Sequence, residues 1–239
     1  MSEKDIYNNW HQHESVERFA KKDVSDFFKS ETWFLERIGS ELSSVLDIGC
    51  ASGRFIDLVG HYGKKFTYTG VDLVPESIEI GRNMYPQADF FVGSALDFNT
   101  EKKFDLVNAT GVFQHEPAYE LLLSRMLEWS DKYVLFDVKV AQIETHLVNI
   151  DRAYCQREND RMYFNVLSWK QFRDDLLKLP GVERIQVYAY ETRPNKVTVV
   201  PDEVLPFASM GVLLTKGKKP VEIHADHLPD LLESGQVRN

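Results

Sequence analysis

The chain has 239 residues, 43% hydrophobic and 27% charged, and its 37 acidic against 28 basic side chains give a formal net charge of −9. At roughly 150 residues per domain, that length suits one elaborated domain with a full core, and the acidity works against nonspecific binding to a phosphate backbone. The two cysteines, Cys50 and Cys155, form no CxxC pattern, which argues against a disulfide scaffold or a zinc module and suits a reducing cytosol. The longest apolar stretch, Val204 to Leu214, has 11 residues and contains Pro206 and Ser209, whereas a bilayer-spanning helix needs about 20. The first residues, MSEKDIYNNW, lack the basic-then-apolar order of a signal peptide. A cytoplasmic protein with no membrane or nucleic-acid partner is expected.

The spacing of Val16, Phe19, Ala20, Val24 and Phe27 predicts a helix over 14–29, and Leu35, Ile38 and Leu42 a second over 31–42. The first clear strand is Ser44–Ile48. Beyond it, strands at 66–71, 89–92, 104–108 and 133–138 alternate with helices at 52–59, 75–85 and 117–129, with Pro75 at a favoured first helical position. Such alternation predicts a mostly parallel sheet covered on both faces. Ser168 with Gln171 makes a capping box, and Leu167 with Phe172 a hydrophobic staple, for a helix stopped by Pro180-Gly181. Strand-like runs follow at 182–191 and 211–215, joined by a proline-rich connection. Residues 218–239 read as a polar surface tail after a single domain over 1–217.

The most informative stretch is Val45-Leu-Asp-Ile-Gly-Cys-Ala-Ser-Gly-Arg-Phe55. An apolar strand carrying an acid runs into a tight turn whose Gly49 and Gly53 let backbone approach a ligand, and a following helix points its N-terminus there. Asp72, in Thr69-Gly-Val-Asp-Leu73, ends the second strand where a carboxylate accepts both hydroxyls of a ribose. Dinucleotide enzymes use G-x-G-x-x-G, whose third glycine permits close helix–strand packing. Arg54 occupies that third position, which weakens a nicotinamide-linked oxidoreductase. Asp47, two residues before Gly49, suits a cationic ligand better than a pyrophosphate.

Residues 45–55 resemble motif I of the class I, Rossmann-like S-adenosylmethionine (SAM) dependent methyltransferases. In order along the chain, Gly70-Val-Asp-Leu73 is similar to the ribose motif and Val92-Gly-Ser-Ala-Leu-Asp97 to the adenine segment. The run from Phe104-Asp-Leu-Val-Asn108 through Val112-Phe-Gln-His115 is similar to the fourth-strand motif. Ala51 departs from the pattern, standing where the family has its middle glycine. The resemblance implies an α/β, Rossmann-like three-layer sandwich. Its seven-stranded, mostly parallel sheet has order 3-2-1-4-5-7-6 with strand 7 antiparallel, plus N-terminal helices and an insertion after strand 5. It further implies SAM as cofactor and S-adenosyl-L-homocysteine (SAH) as product. Asp47 and Gly49 would hold the methionine amino end beside Cys50, Ala51 and Gly53. Asp72 would take the ribose, Leu73, Ala95, Leu96 and Asp97 the adenine, and Asn108, Thr110 and Gly111 the methionine tail.

Methyl transfer needs acceptor alignment, exclusion of water and, for an oxygen acceptor, a base. Candidates lie beyond the carboxyl ends of the strands: His115 as base, Asp137 beside it, and Lys139 as an acceptor contact. Tyr7, Trp10 and His11 form a candidate lid within the helical segment 1–43. The insertion 142–165 brings Arg152 and Tyr154 as a candidate grip on a polar or anionic small molecule. No metal is implied. The reading is a methyltransferase for a small polar acceptor, at oxygen of a sugar-like or secondary-metabolite hydroxyl. A protein or N-methyltransferase and a non-catalytic SAM-binding module remain the alternatives. The 194–210 connection and the tail are candidate homodimer contacts.

Overall fold

The structure is a computed structural model and describes residues 27–63, 65–157 and 160–233. The expected helix over 14–29 and the lid residues Tyr7, Trp10 and His11 lie outside the described residues. The chain divides into two compact units: the first runs up to Thr110 and includes Ala118–Leu135, and the second combines Gly111–Pro117 with the residues from Phe136 onward.

In the first unit, α1 (Lys29–Ile38) ends in a 3₁₀ turn, Gly39–Glu41, and leads into β1 (Ser44–Ile48). There follow α2 (Phe55–Tyr62), β2 (Thr67–Asp72), α3 (Pro75–Met84), β3 (Asp89–Val92), β4 (Phe104–Ala109) and α4 (Tyr119–Trp129). β1 lies parallel between β2 and β4, and β3 lies parallel on the outer side of β2. Val45, Leu46, Leu106 and Val107 are fully enclosed, as expected for parallel strands buried on both faces. The helix expected from Ser52 begins three residues later, at Phe55. Gly49, Ala51 and Gly53 have φ of 67°, 49° and 85°, which no right-handed helix accommodates.

β5 (Ser130–Ala141) passes from the first unit into the second. The second unit then holds β6 (Tyr154–Arg157), β7 (Asp160–Tyr163), β8 (Leu167–Ser168), α5 (Trp169–Leu176) and β9 (Val182–Thr192). After these come β10 (Thr198–Val199), β11 (Phe207–Lys216), β12 (Glu222–His227) and α6 (Asp230–Glu233). Ser168 caps α5, its hydroxyl accepting from the Gln171 amide at 3.4 Å, and Phe172 and Leu176 are buried. Phe172 meets Phe136 edge-on, and Phe136 stacks on Phe113 with centroids 4.4 Å apart.

The strand order is β3-β2-β1-β4-β5-β11-β9-β12, with β8 beside β5. β11 and β9 fill the places expected of the seventh and sixth strands and run antiparallel to each other. The expected seven strands are corrected upward: β12 adds an eighth along this path, parallel to β9. It comes from the segment read as a tail. Five of its six residues are exposed, so only the backbone ladder marks it as a strand, and hydrophobic alternation gives no sign of it. The insertion folds as the antiparallel hairpin β6–β7, joined at β6 by β10 from the proline-rich connection.

Candidate functional site

The loop after β1 in the first unit is held from beneath. The amides of Gly49 and Cys50 donate to the Val71 carbonyl, at 2.8 and 3.2 Å, and the Gly53 amide to the Cys50 carbonyl at 2.9 Å. Gly49 is exposed, presenting bare backbone at the carboxyl ends of the strands. A Cβ at Gly53 would stand 2.7 Å from Phe90 Cζ, so both the fold and the φ value require glycine there. Asp72 bridges this loop to α3: Oδ2 accepts from the Ala51 amide at 2.8 Å and Oδ1 from the Val74 amide at 2.9 Å. The carboxylate therefore ties the glycine turn to the residue that precedes α3 while remaining half-exposed.

Asp47 lies under the same loop, 3% exposed. Its Oδ2 accepts from the Tyr68 hydroxyl at 2.5 Å and its Oδ1 from Asn108 Nδ2 at 2.7 Å. Asn108 Nδ2 also reaches Thr110 Oγ1, at 3.2 Å, and that hydroxyl donates to Glu31 Oε1 at 2.6 Å. Glu31 Oε2 in turn accepts from the Phe28 amide at 2.7 Å, so a continuous buried chain links the start of α1 to the floor of the loop. Sequence reasoning missed Glu31 and Tyr68. Glu31 sits at the third position of a helix, where an acid ordinarily answers the helix's own amides, and nothing local marks its second partner 79 positions away.

Burial pushes the Asp47 carboxyl up to about 7, with Glu31 adding to the rise and Tyr68, Asn108 and Arg54 opposing it. The folded protein thus holds a proton that the unfolded chain releases near pH 4. Between these values the native state binds more protons, so stability falls as pH rises from about 4 to about 7 and levels off above. Thermal midpoints across pH 4–9 are expected to show this slope in the parent and its loss in Asp47→Asn; equal slopes would refute it. Burial, then the Asp72 and Asp47 charges, pushes the Cys50 thiol well up, so Cys50 packs as a thiol and supplies no nucleophile.

The adenine-segment candidates follow β3. The Gly93 amide donates to the Asp72 carbonyl at 2.8 Å, placing this turn beside the end of β2. Leu73, Ala95 and Leu96 are half-buried and Asp97 is exposed. The Leu96 amide donates to Ser94 Oγ at 3.1 Å.

In the second unit, Gly111 has φ 82°, and its amide donates to Asp137 Oδ1 at 2.5 Å. Lys139 Nζ lies 3.2 Å from Asp137 Oδ2 and 2.8 Å from Ser209 Oγ. Asp137 and Lys139 are both buried and form an ion pair that fixes the Gly111 turn. The His115 ring is half-buried, with Nδ1 2.7 Å from the Tyr163 carbonyl. Because a carbonyl only accepts, Nδ1 carries the proton, and in the neutral ring the lone pair lies on Nε2. Arg152 pairs with Glu203, and Arg161 lies 4.3 Å above the Tyr154 ring. Among the described residues, no three His, Cys, Asp or Glu side chains gather as a metal site, and no helix is long and apolar enough to cross a membrane.

These features align with the comparisons to known proteins. Residues 45–132 match the family described as "Methyltransferase domain". The 235L protein of Invertebrate iridescent virus 6, which carries a provisional methyltransferase name, is 24% identical over 154 residues. That match covers 63% of this chain and 57% of the viral protein, so it spans just over half of that relative. Magnesium protoporphyrin IX methyltransferase from Synechocystis PCC 6803, solved with SAM, superimposes with TM-score 0.54 at 12% identity over 91% of this chain and 98% of that one. The O-methyltransferase of a trans-AT PKS multienzyme of Brevibacillus brevis, solved with S-adenosyl-L-homocysteine, gives 0.58 at 14% identity, over 78% and 71%. At such identities the likeness is one of fold.

Proposed function

We propose that this chain, whose residues 45–132 match a methyltransferase domain, is a SAM-dependent methyltransferase that methylates a hydroxyl of a small polar acceptor. The donor set fits that cofactor. Asp47 and Asp72 place carboxyl groups below and beside an open glycine turn, which favours a cationic ligand over a pyrophosphate. Asn108 Oδ1 is a buried acceptor with no hydrogen-bond partner among the described residues, while its amide nitrogen is committed to Asp47. A ligand ammonium satisfies such an oxygen, which is costly to leave unpaired.

When bound, the sulfonium supplies an activated methyl group. The residues of this chain supply placement and proton transfer. Asp72 orients the ribose and Asp47 anchors the floor of the turn through Tyr68 and Asn108, while the buried pair of Asp137 and Lys139 holds the Gly111 turn. His115 carries the oxygen-specific part: its Nδ1–H is held by the Tyr163 carbonyl at 2.7 Å, which sets the tautomer in which Nε2 is the basic nitrogen that takes the hydroxyl proton as the C–O bond forms. That tautomer is the observation that favours oxygen.

His115→Gln is expected to slow methyl transfer by about 10²–10⁴-fold, the usual range for a general base, with SAH affinity unchanged. Radiolabelled SAM with a hydroxyl acceptor measures the first and calorimetry the second. Unchanged turnover would remove His115 as base. Coverage of only part of the viral relative leaves substrates and partners to this proposal, including a small-molecule acceptor and a homodimer.

A further inference from the structure

The segment that carries His115 is stitched to residues 163–165 by a set of hydrogen bonds that also fixes two amide side chains. Asn165 Nδ2 donates to the carbonyls of Phe113, at 2.9 Å, and Glu116, at 2.8 Å. The Asn165 amide donates to the Gln114 carbonyl at 2.8 Å. Gln114 Nε2 donates to the Gly111 carbonyl at 3.2 Å. The carbonyl partners settle which end of each side chain is nitrogen, because an amide oxygen turned toward them would repel. Asn165 Oδ1 and Gln114 Oε1 therefore face away from these partners. Both are buried, and neither has a hydrogen-bond partner among the described residues.

Two buried acceptors without partners, on residues hydrogen-bonded to each other, call for a physical account, since an unmet buried acceptor is costly. Gln114 adjoins His115 in sequence, and Asn165 is bonded to Phe113 and Glu116 on either side of it. We propose that Gln114 Oε1 and Asn165 Oδ1 are the acceptor-recognition groups of this enzyme and take hydrogen bonds from further hydroxyls of an uncharged polyol, one hydroxyl of which His115 deprotonates. This inference rests on the methyltransferase reading and specifies its substrate class. Amide oxygens with their nitrogens committed elsewhere accept but do not donate, so they select O–H groups and disfavour carboxylates and phosphates. Arg152, the arginine that suggested an anionic substrate, is already engaged by Glu203.

The test uses the full chain and radiolabelled SAM with four acceptor groups: uncharged monosaccharides and cyclitols, monohydric alcohols, sugar phosphates, and hydroxycarboxylates. Methylation is expected with the uncharged polyols. Gln114→Met, similar in volume and without the orphan oxygen, is expected to raise the polyol KM about tenfold or more, the effect of roughly 1.4 kcal/mol. It should leave SAH affinity unchanged, while the loss of the Nε2 bond to the Gly111 carbonyl lowers the melting temperature whatever the oxygen binds. Methylation confined to phosphates or carboxylates, or of no polyol, overturns the proposal on the parent protein alone. So does an unchanged polyol KM in Gln114→Met, which would mean that the oxygen meets no acceptor. Loss of SAH binding in the parent would instead refute the methyltransferase reading itself.

Discussion

Asp72→Ala is expected to weaken SAH binding by about 10²–10⁴-fold, measured by calorimetric titration with NADH as the control ligand. A hydrogen bond to a charged group contributes roughly 1.5–3 kcal/mol, and a carboxylate gripping two ribose hydroxyls makes two of them. The same substitution removes the bonds that the Ala51 and Val74 amides make to Oδ2 and Oδ1, so the loop loses its link to α3 as well. Asp72→Asn separates the two roles. Asparagine accepts from the amide two residues on as aspartate does, yet it cannot receive two hydroxyl protons with full charge. If the Asp72→Asn variant binds SAH as the parent does, the carboxylate serves only as a tie. NADH binding in place of SAH would overturn the choice of cofactor.

Gly53→Ala should be among the most destabilising single-methyl changes in the chain. A Cβ there would stand 2.7 Å from Phe90 Cζ and 3.2 Å from Ile56 Cδ1, at a φ of 85°. Overpacking costs about 1–3 kcal/mol, and the left-handed conformation adds roughly 1–2 kcal/mol. For a chain of this size that sum lowers the melting temperature by about 5–15 °C. Phe90 is the shared wall: Gly70 and Gly81 also face its ring, at 3.1 and 2.9 Å from a built Cβ. Gly53→Ala combined with Phe90→Leu should therefore cost less than the two single changes added together, because the smaller side chain removes the collision and leaves only the backbone term. Strict additivity would show that the ring does not limit residue 53.

The order of strands and helices from Ser44 to Val138 was legible because each element carries a local signature. β1 is an apolar run, α3 opens on proline, and α5 has both a cap and a staple. The glycine turn and Asp72 were legible for the same reason: positive φ and a strand-end acid are requirements of single positions. Ala51 shows the limit. It stands where the resemblance places a middle glycine, and the fold holds it at φ 49°, a conformation alanine adopts only when its surroundings demand it. β12 was hidden because an exposed edge strand needs no apolar alternation.

Local composition and spacing by themselves determined the alternating α/β architecture and the glycine turn, since backbone conformation and hydrophobic period are set within a few positions. What only the tertiary structure decided is the pairing of polar groups far apart in sequence. The sequence alone does not couple Glu31 to Thr110, Tyr68 to Asp47, or the Tyr163 carbonyl to His115. It likewise does not commit Arg152 to Glu203, or leave Gln114 and Asn165 with oxygens to fill. A hydrogen bond is satisfied by whichever partner the packed chain brings within about 3 Å, and nothing in the identity of either residue specifies that partner.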